Sequence, residues 1–239
     1  MLARATLASL SLLTSLAACT DDAPPPPTGD ATLAEATPAQ LRRIVTGGLG
    51  LDGITATFLV GSYVDQVGVA CPAVTTAGDT LTVTGGCTTD DGVRIDGAVV
   101  GRNVPALFAP PDPSVVTEVT LDGFELDDPA QGRMRFDGSM SWRADDYYAY
   151  DLRTVIGGLE AELTARYEVD DTSMAPVGDA QVTVPGVGTA AIAGRWNRTL
   201  DGGTFELLGA DVLTIDLGAA REDCTPYAID GVAGELCDE

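Results

Sequence analysis

The chain has 239 residues and a formal net charge of −23, from 36 acidic residues and 13 basic ones, all arginine. With no histidine and no lysine, histidine catalysis, histidine metal ligands and lysine Schiff bases are excluded. A surface this acidic repels phosphate backbones, which argues against a nucleic-acid partner, and apolar residues at 45% exclude wholesale disorder.

Residues 1–18 read as a secretory signal. Arg4 is the one charge, and Leu7 to Ala18 is an apolar and small-residue run too short for a stop-transfer helix. No later stretch reaches 18 uninterrupted apolar residues. Ordinary cleavage after Ala18 would put Leu16 where a small residue is wanted. Leu16-Ala17-Ala18-Cys19 instead resembles the lipobox of bacterial lipoproteins. That resemblance implies cleavage before Cys19, a diacylglycerol on its thiol and an acylated new amine. Several acyl chains hold a protein on a bilayer, at about 0.8 kcal/mol per buried methylene. Thr20, in place of the Asp that marks inner-membrane retention in one branch of the family, points by the same resemblance to the outer membrane. The expected membrane partner is thus reached through a lipid anchor.

Residues 19–30 form a tether. Asp21 to Asp30 reads DDAPPPPTGD, and consecutive prolines impose an extended polyproline stretch that spaces the folded part from the lipid. Residues 31–50 hold a short helix. Thr37-Pro38-Ala39-Gln40 matches a capping box with Pro at the first helical position, Leu41, Ile44 and Val45 give an apolar stripe, and Gly47-Gly48 should end it. Gly48-Leu49-Gly50-Leu51-Asp52-Gly53 fits the dinucleotide pattern GxGxxG, but the pattern needs a strand before it and a helix after it and here the order reads as reversed, so nucleotide binding is rejected.

From 51 to 239 the chain reads as a β-meander. Met134, Phe136, Gly138, Met140 and Trp142 share one face, with Arg135, Asp137, Ser139 and Ser141 on the other; Leu159 to Val169 alternates likewise. A turn at Gly157-Gly158 opposes Ile156 to Leu159, Leu152 to Leu163 and Tyr150 to Ala165. A turn at Asp201-Gly202 would oppose Trp196 to Leu207 and Gly194 to Gly209. The same dipeptide at Asp137-Gly138 would mix faces as a turn, so that strand is expected to run straight through, with Gly138 where a ring or another backbone packs closely. Asp96-Gly97 behaves similarly. The expected fold is all-β: an antiparallel meander of about a dozen strands forming a curved sheet or open barrel, with one short N-terminal helix. A membrane-spanning barrel is disfavoured, because the second face of most strands is charged and aromatics are only 5%.

Cys19 taken as the lipid site, four cysteines remain, and an even number in an exported chain reads as disulfides. Cys224 and Cys237 lie equidistant from an Asp230-Gly231 turn, directly opposed. Cys71 and Cys87 flank Gly78-Asp79 in what reads as a second in-register pair. A metal site of four thiolates lacks the close spacing zinc usually shows. The stretch Cys71-Pro72-Ala73-Val74, through Gly85-Gly86-Cys87-Thr88, to Asp91-Gly92 resembles a pattern in bacterial envelope lipoproteins of no assigned activity, and implies none.

Acid pairs recur at expected strand ends: Asp90-Asp91, Asp127-Asp128, Asp145-Asp146 and Asp170-Asp171. Clustered carboxylates suit calcium, but no EF-hand spacing is present and solvated turns explain them as well. Trp142, Tyr147, Tyr148 and Tyr150 flank a turn at Arg143 to Asp146; they read as cross-strand packing, Trp142 opposite Tyr147, or as a sugar-binding platform. No GxSxG elbow exists and no two acids stand out as a glycosidase pair, so no enzyme and no cofactor is expected. The expected role is a lipid-anchored envelope protein acting as a structural or interaction module. The alternative is a binding protein for an apolar or glycan ligand, with or without the aid of calcium, which requires a closed barrel or a concave sheet with an apolar lining. A carboxylate hydrolase ranks third.

Overall fold

The computed structural model describes residues 28–106, 112–220 and 224–237, so Cys19, the signal and most of the tether lie outside the described residues. A 3-10 turn (Leu33–Glu35) leads into two helices, α1 (Pro38–Gly48) and α2 (Leu51–Ser62). The strands follow: β1 (Ala73–Ala77), β2 (Thr80–Thr84), β3 (Cys87–Thr88), β4 (Arg94–Arg102), β5 (Thr117–Asp128), β6 (Gly132–Arg143) and β7 (Tyr147–Ile156). Then come β8 (Leu159–Val169), β9 (Ser173–Val184), β10 (Gly188–Asn197), β11 (Gly203–Leu208), β12 (Val212–Asp216), β13 (Cys224–Ile229) and β14 (Val232–Cys237). All join one antiparallel sheet in chain order, except that β3 pairs with β4 beside β2. The expected meander is therefore present as one curved sheet that does not close.

The helix read at Thr37 forms as its residues dictate. The Thr37 hydroxyl accepts the Gln40 N–H at 3.3 Å and the Gln40 carboxamide accepts the Thr37 N–H at 3.0 Å. Leu41, Ile44 and Val45 are buried, and the helix ends at Gly48. The reading of everything after residue 50 as strand is corrected by α2. Leu51 to Ser62 is apolar and β-branched on every side, so it shows no helical stripe, and its propensities favour a strand. Gly50, at φ 73°, breaks α1 and starts α2 at once. The Thr55 and Thr57 hydroxyls donate back to the Leu51 and Gly53 carbonyls at 2.9 and 2.8 Å, which quiets their polarity inside the helix. The chain axis bends by 64° between α1 and the stretch from Leu51 to Gln66, and among the described residues no single helix is long and apolar enough to cross a membrane. The helical segment thus runs to residue 62, and the sheet begins at Ala73.

Both helices lie on the apolar face of the sheet. α1 touches β8, β9 and β14. Strands six places apart can meet one helix only because the sheet curls around it. Three Asp-Gly steps on adjacent strands help it bend. Asp96-Gly97 and Asp122-Gly123 sit in bulges, and Gly138 runs in line in β6. A Cβ at Gly138 would strike the Asp151 carbonyl oxygen, so the expected close approach is by a neighbouring backbone.

Hairpin registers follow the turn residues in three places and depart in two, and one cysteine pair falls out of register. The Gly157-Gly158 and Asp230-Gly231 hairpins have the expected pairs, including Cys224 opposite Cys237. At β10–β11, however, Trp196 opposes Gly203 and Gly194 opposes Phe205. The reversal lies nearer Thr199-Leu200, because the Asn197 side chain accepts the Asp201 N–H at 2.9 Å and closes a longer loop. The slip is even, so every side chain keeps its face. At β1–β2 the turn is Gly78-Asp79, with Ala77 opposite Thr80, but Cys87 lies beyond a break at Gly85-Gly86 and pairs with Ile95 of β4. The Cys71–Cys87 bond therefore joins two segments out of register, with Cα atoms 5.8 Å apart. At β6–β7 the loop holds three residues with Asp145 at φ 58°, so Trp142 opposes Tyr148 rather than Tyr147.

The segment before α1 is strapped to the sheet. The Gly29 N–H donates to Leu208, Ala31 to Thr189 and Thr32 to Val187, each at 2.9 Å, while Ala31 accepts from Ala210 at 2.9 Å. The Asp30 carboxylate accepts the Thr189 N–H at 2.8 Å, and Ala31 and Leu33 are fully buried.

Candidate ligand cavity

The alternation of β7 and β8 turns Tyr148, Tyr150 and Leu152, then Ala165, Tyr167 and Val169, toward the helices. Rings form a ladder across this floor. Tyr148 stacks on Tyr150 at 6.4 Å between centroids, Tyr150 meets Tyr167 at 6.0 Å, Tyr167 meets Trp196 at 5.9 Å, and Trp196 stands edge-on to Phe205 at 5.4 Å. α2 is the roof. Its small residues face the sheet: a Cβ at Gly53 would overlap the Tyr150 ring, so helix backbone lies directly on that ring. The Tyr167 hydroxyl donates to the Gly48 carbonyl at 2.6 Å, which fixes the α1–α2 corner.

Deeper under the helices is a charged clamp. Arg43 and Asp52 pair at 2.6 Å with both side chains 5% exposed. The Arg43 guanidinium also donates to the Thr154 and Leu159 carbonyls, each at 3.1 Å, and the Thr154 hydroxyl donates to Asp52 at 2.6 Å. One network thereby joins α1, α2 and β7.

Between roof and floor a cavity of about 230 Å³ opens at one end of the strands. Its wall is mostly apolar: Leu49, Ile54, Phe58, Val169 and Met174, with the faces of Tyr148, Tyr150 and Tyr167. Phe58 is 57% exposed at the entrance. An apolar cavity of roughly 150 Å³ is known to hold benzene, so this one has room for a ring with a short substituent. Arg198, just beyond β10, is the one charged side chain in the wall. Its guanidinium donates to Asp145 at 2.7 Å, ties the β10–β11 turn to the β6–β7 loop across the rim, and is held in its charged form chiefly by that hydrogen bond.

The Tyr150 hydroxyl has no hydrogen-bond partner among the described residues, and its side chain is 5% exposed. Burial pushes the phenols of Tyr150 and Tyr167 well above their ordinary range, and that of Tyr63 up to about 12. A raised phenol favours the fold while it stays neutral, so this contribution is complete below pH 10 and fades above it. Absorbance at 295 nm is therefore expected to show these three tyrosines ionising only as the chain unfolds in alkali. Their reversible titration near pH 10 in the folded protein would refute the buried placement.

The four acid pairs sit at strand ends, as read, but are not gathered. Asp128 caps the Ala130 N–H at 2.7 Å, Asp146 pairs with Arg143, and Asp145 holds Arg198. Asp170 accepts the Thr172 and Ser173 N–H groups at 2.9 and 2.6 Å and pairs with Arg195 at 3.0 Å, which holds its carboxyl far below the usual range. Among the described residues, the one group of three metal-type side chains within mutual reach is Cys224, Glu235 and Cys237, and its two sulfurs are bonded to each other. The four aromatic residues near the β6–β7 loop do not form one platform either. Tyr147 points to the outer face, with the Arg166 guanidinium 3.9 Å from its ring centroid. Sequence reasoning missed Phe58, Met174 and Arg198 as wall residues; an apolar helix without a polar face was the available signal. Protein families, curated proteins and solved structures were compared with the chain, and none matches it.

Proposed function

We propose that this is a lipid-anchored envelope protein, tethered through Cys19, that binds a small and largely apolar molecule in the cavity under α2. The cavity carries this reading: a concave sheet with an aromatic and aliphatic lining is what the binding alternative required, and a purely structural module would fill that space with side chains. No carboxylate lines the wall, which gives a carboxylate hydrolase no footing there. Two disulfides accord with an oxidising compartment, and the lipobox supplies the anchor. For the cavity, the oxidised protein is titrated with 1-octanol by calorimetry. Saturable one-to-one binding is expected, lost in Ile54→Trp, which fills the space; absence of saturable binding refutes the reading. For the anchor, Cys19→Ala should release the protein from the membrane fraction, and a variant that stays membrane-bound would sink it.

A further inference from the structure

Every polar side chain in the cavity wall can donate a hydrogen bond, and none is a carboxylate. The Thr57 hydroxyl spends its proton on the Gly53 carbonyl and that of Tyr167 on Gly48. Three donors are left with capacity: the Tyr148 and Tyr150 hydroxyls and the Arg198 guanidinium. The Tyr150 hydroxyl is unpartnered among the described residues and opens on the cavity. Arg198 lies at the rim, and its guanidinium, with five N–H groups, is engaged by Asp145 and the Tyr148 hydroxyl. A hydroxyl facing an apolar cavity has its hydrogen bond satisfied by water or by a ligand that enters.

Resting on the binding reading above, we infer that the cavity selects a monocarboxylate with an apolar tail of one ring or a medium chain, its carboxylate taken by Arg198 at the rim and Tyr150 supplying a further donor inside. An amine would meet a guanidinium at the mouth and donors within, and a neutral alcohol would forgo the charge-assisted bond. The Arg198–Asp145 pair makes the selection adjustable, because the ligand carboxylate competes with Asp145 for one guanidinium.

The test titrates the oxidised protein with octanoate, 1-octanol and octylamine. Octanoate should bind at least about tenfold more tightly than octanol, as a charge-assisted hydrogen bond allows, and octylamine most weakly. Arg198→Gln should erase the octanoate advantage and leave octanol unchanged. Asp145→Asn, which breaks the same ion pair but keeps the cation, should tighten octanoate about two- to fivefold; this opposite sign separates ligand recognition from damage to the rim. Tyr150→Phe should weaken octanoate about fivefold, and an unchanged affinity would remove the inner donor from the proposal. Octanoate binding no better than octanol, or matched by octylamine, overturns the carboxylate preference while octanol binding preserves the cavity reading. If none of the three binds, both fall.

Discussion

Asp52→Ala is expected to lower the free energy of unfolding by about 3–5 kcal/mol, a large share of the roughly 5–15 kcal/mol that holds an ordinary domain together. The cost does not come from losing an attraction between two charges. It comes from stranding the Arg43 guanidinium, 5% exposed, where the remaining partners are two carbonyls and a hydroxyl. Thr154 is affected too, since its hydroxyl donates to Asp52 while accepting from Arg43. The double replacement Arg43→Met with Asp52→Leu, which removes both charges and keeps the volume, should recover most of the loss, because paired burial roughly breaks even with apolar packing. Urea unfolding of the two single variants and the double gives the coupling directly. A single-variant cost below about 1 kcal/mol would mean that water reaches the clamp.

Replacing either cysteine pair by serine should cost about 3 kcal/mol, since the closed loops span 16 and 13 residues. Each bond staples one margin of the sheet: Cys71–Cys87 ties the β1–β2 hairpin to β3, and Cys224–Cys237 spans β13 and β14. The end strands β1 and β14 pair on one side only and lack the second ladder that protects interior strands. Limited proteolysis of the serine variants should therefore cut first within 68–88 and 224–237 while the β5–β10 region persists. Equal resistance in wild type and variants would show that the margins are held by packing alone.

Strand faces were legible because alternation is local and repeated: β6 and β8 bury or half-bury the residues their pattern nominates, and a two-residue Gly-Gly or Asp-Gly turn set two registers correctly. The failures share a cause. Leu51 to Ser62 carries apolar residues toward the sheet, the cavity and the half-exposed outer side alike, so neither period shows in the segment. The β10–β11 slip depends on an Asn197–Asp201 contact, and the out-of-register Cys71–Cys87 bond depends on a break at Gly85-Gly86 that lets the chain cross to β4. Both are choices made by side chains and glycines inside the turn, which strand periodicity does not see. The cavity was the least legible. Its wall draws on residues from Leu49 to Arg198, brought together only when fourteen strands curl around two helices.

The strap over Gly29 to Thr32 fixes where a pull from the N-terminal side enters the sheet. It grips the start of β10 and the end of β11, whereas Arg198 sits past the far end of β10, a ten-residue strand about 30 Å long at the usual rise. Any pull on the leader enters through interior strands instead of peeling a margin. Under the proposed anchor at Cys19, the cavity entrance would lie at the end of the sheet opposite the strap, outward from the surface that carries it.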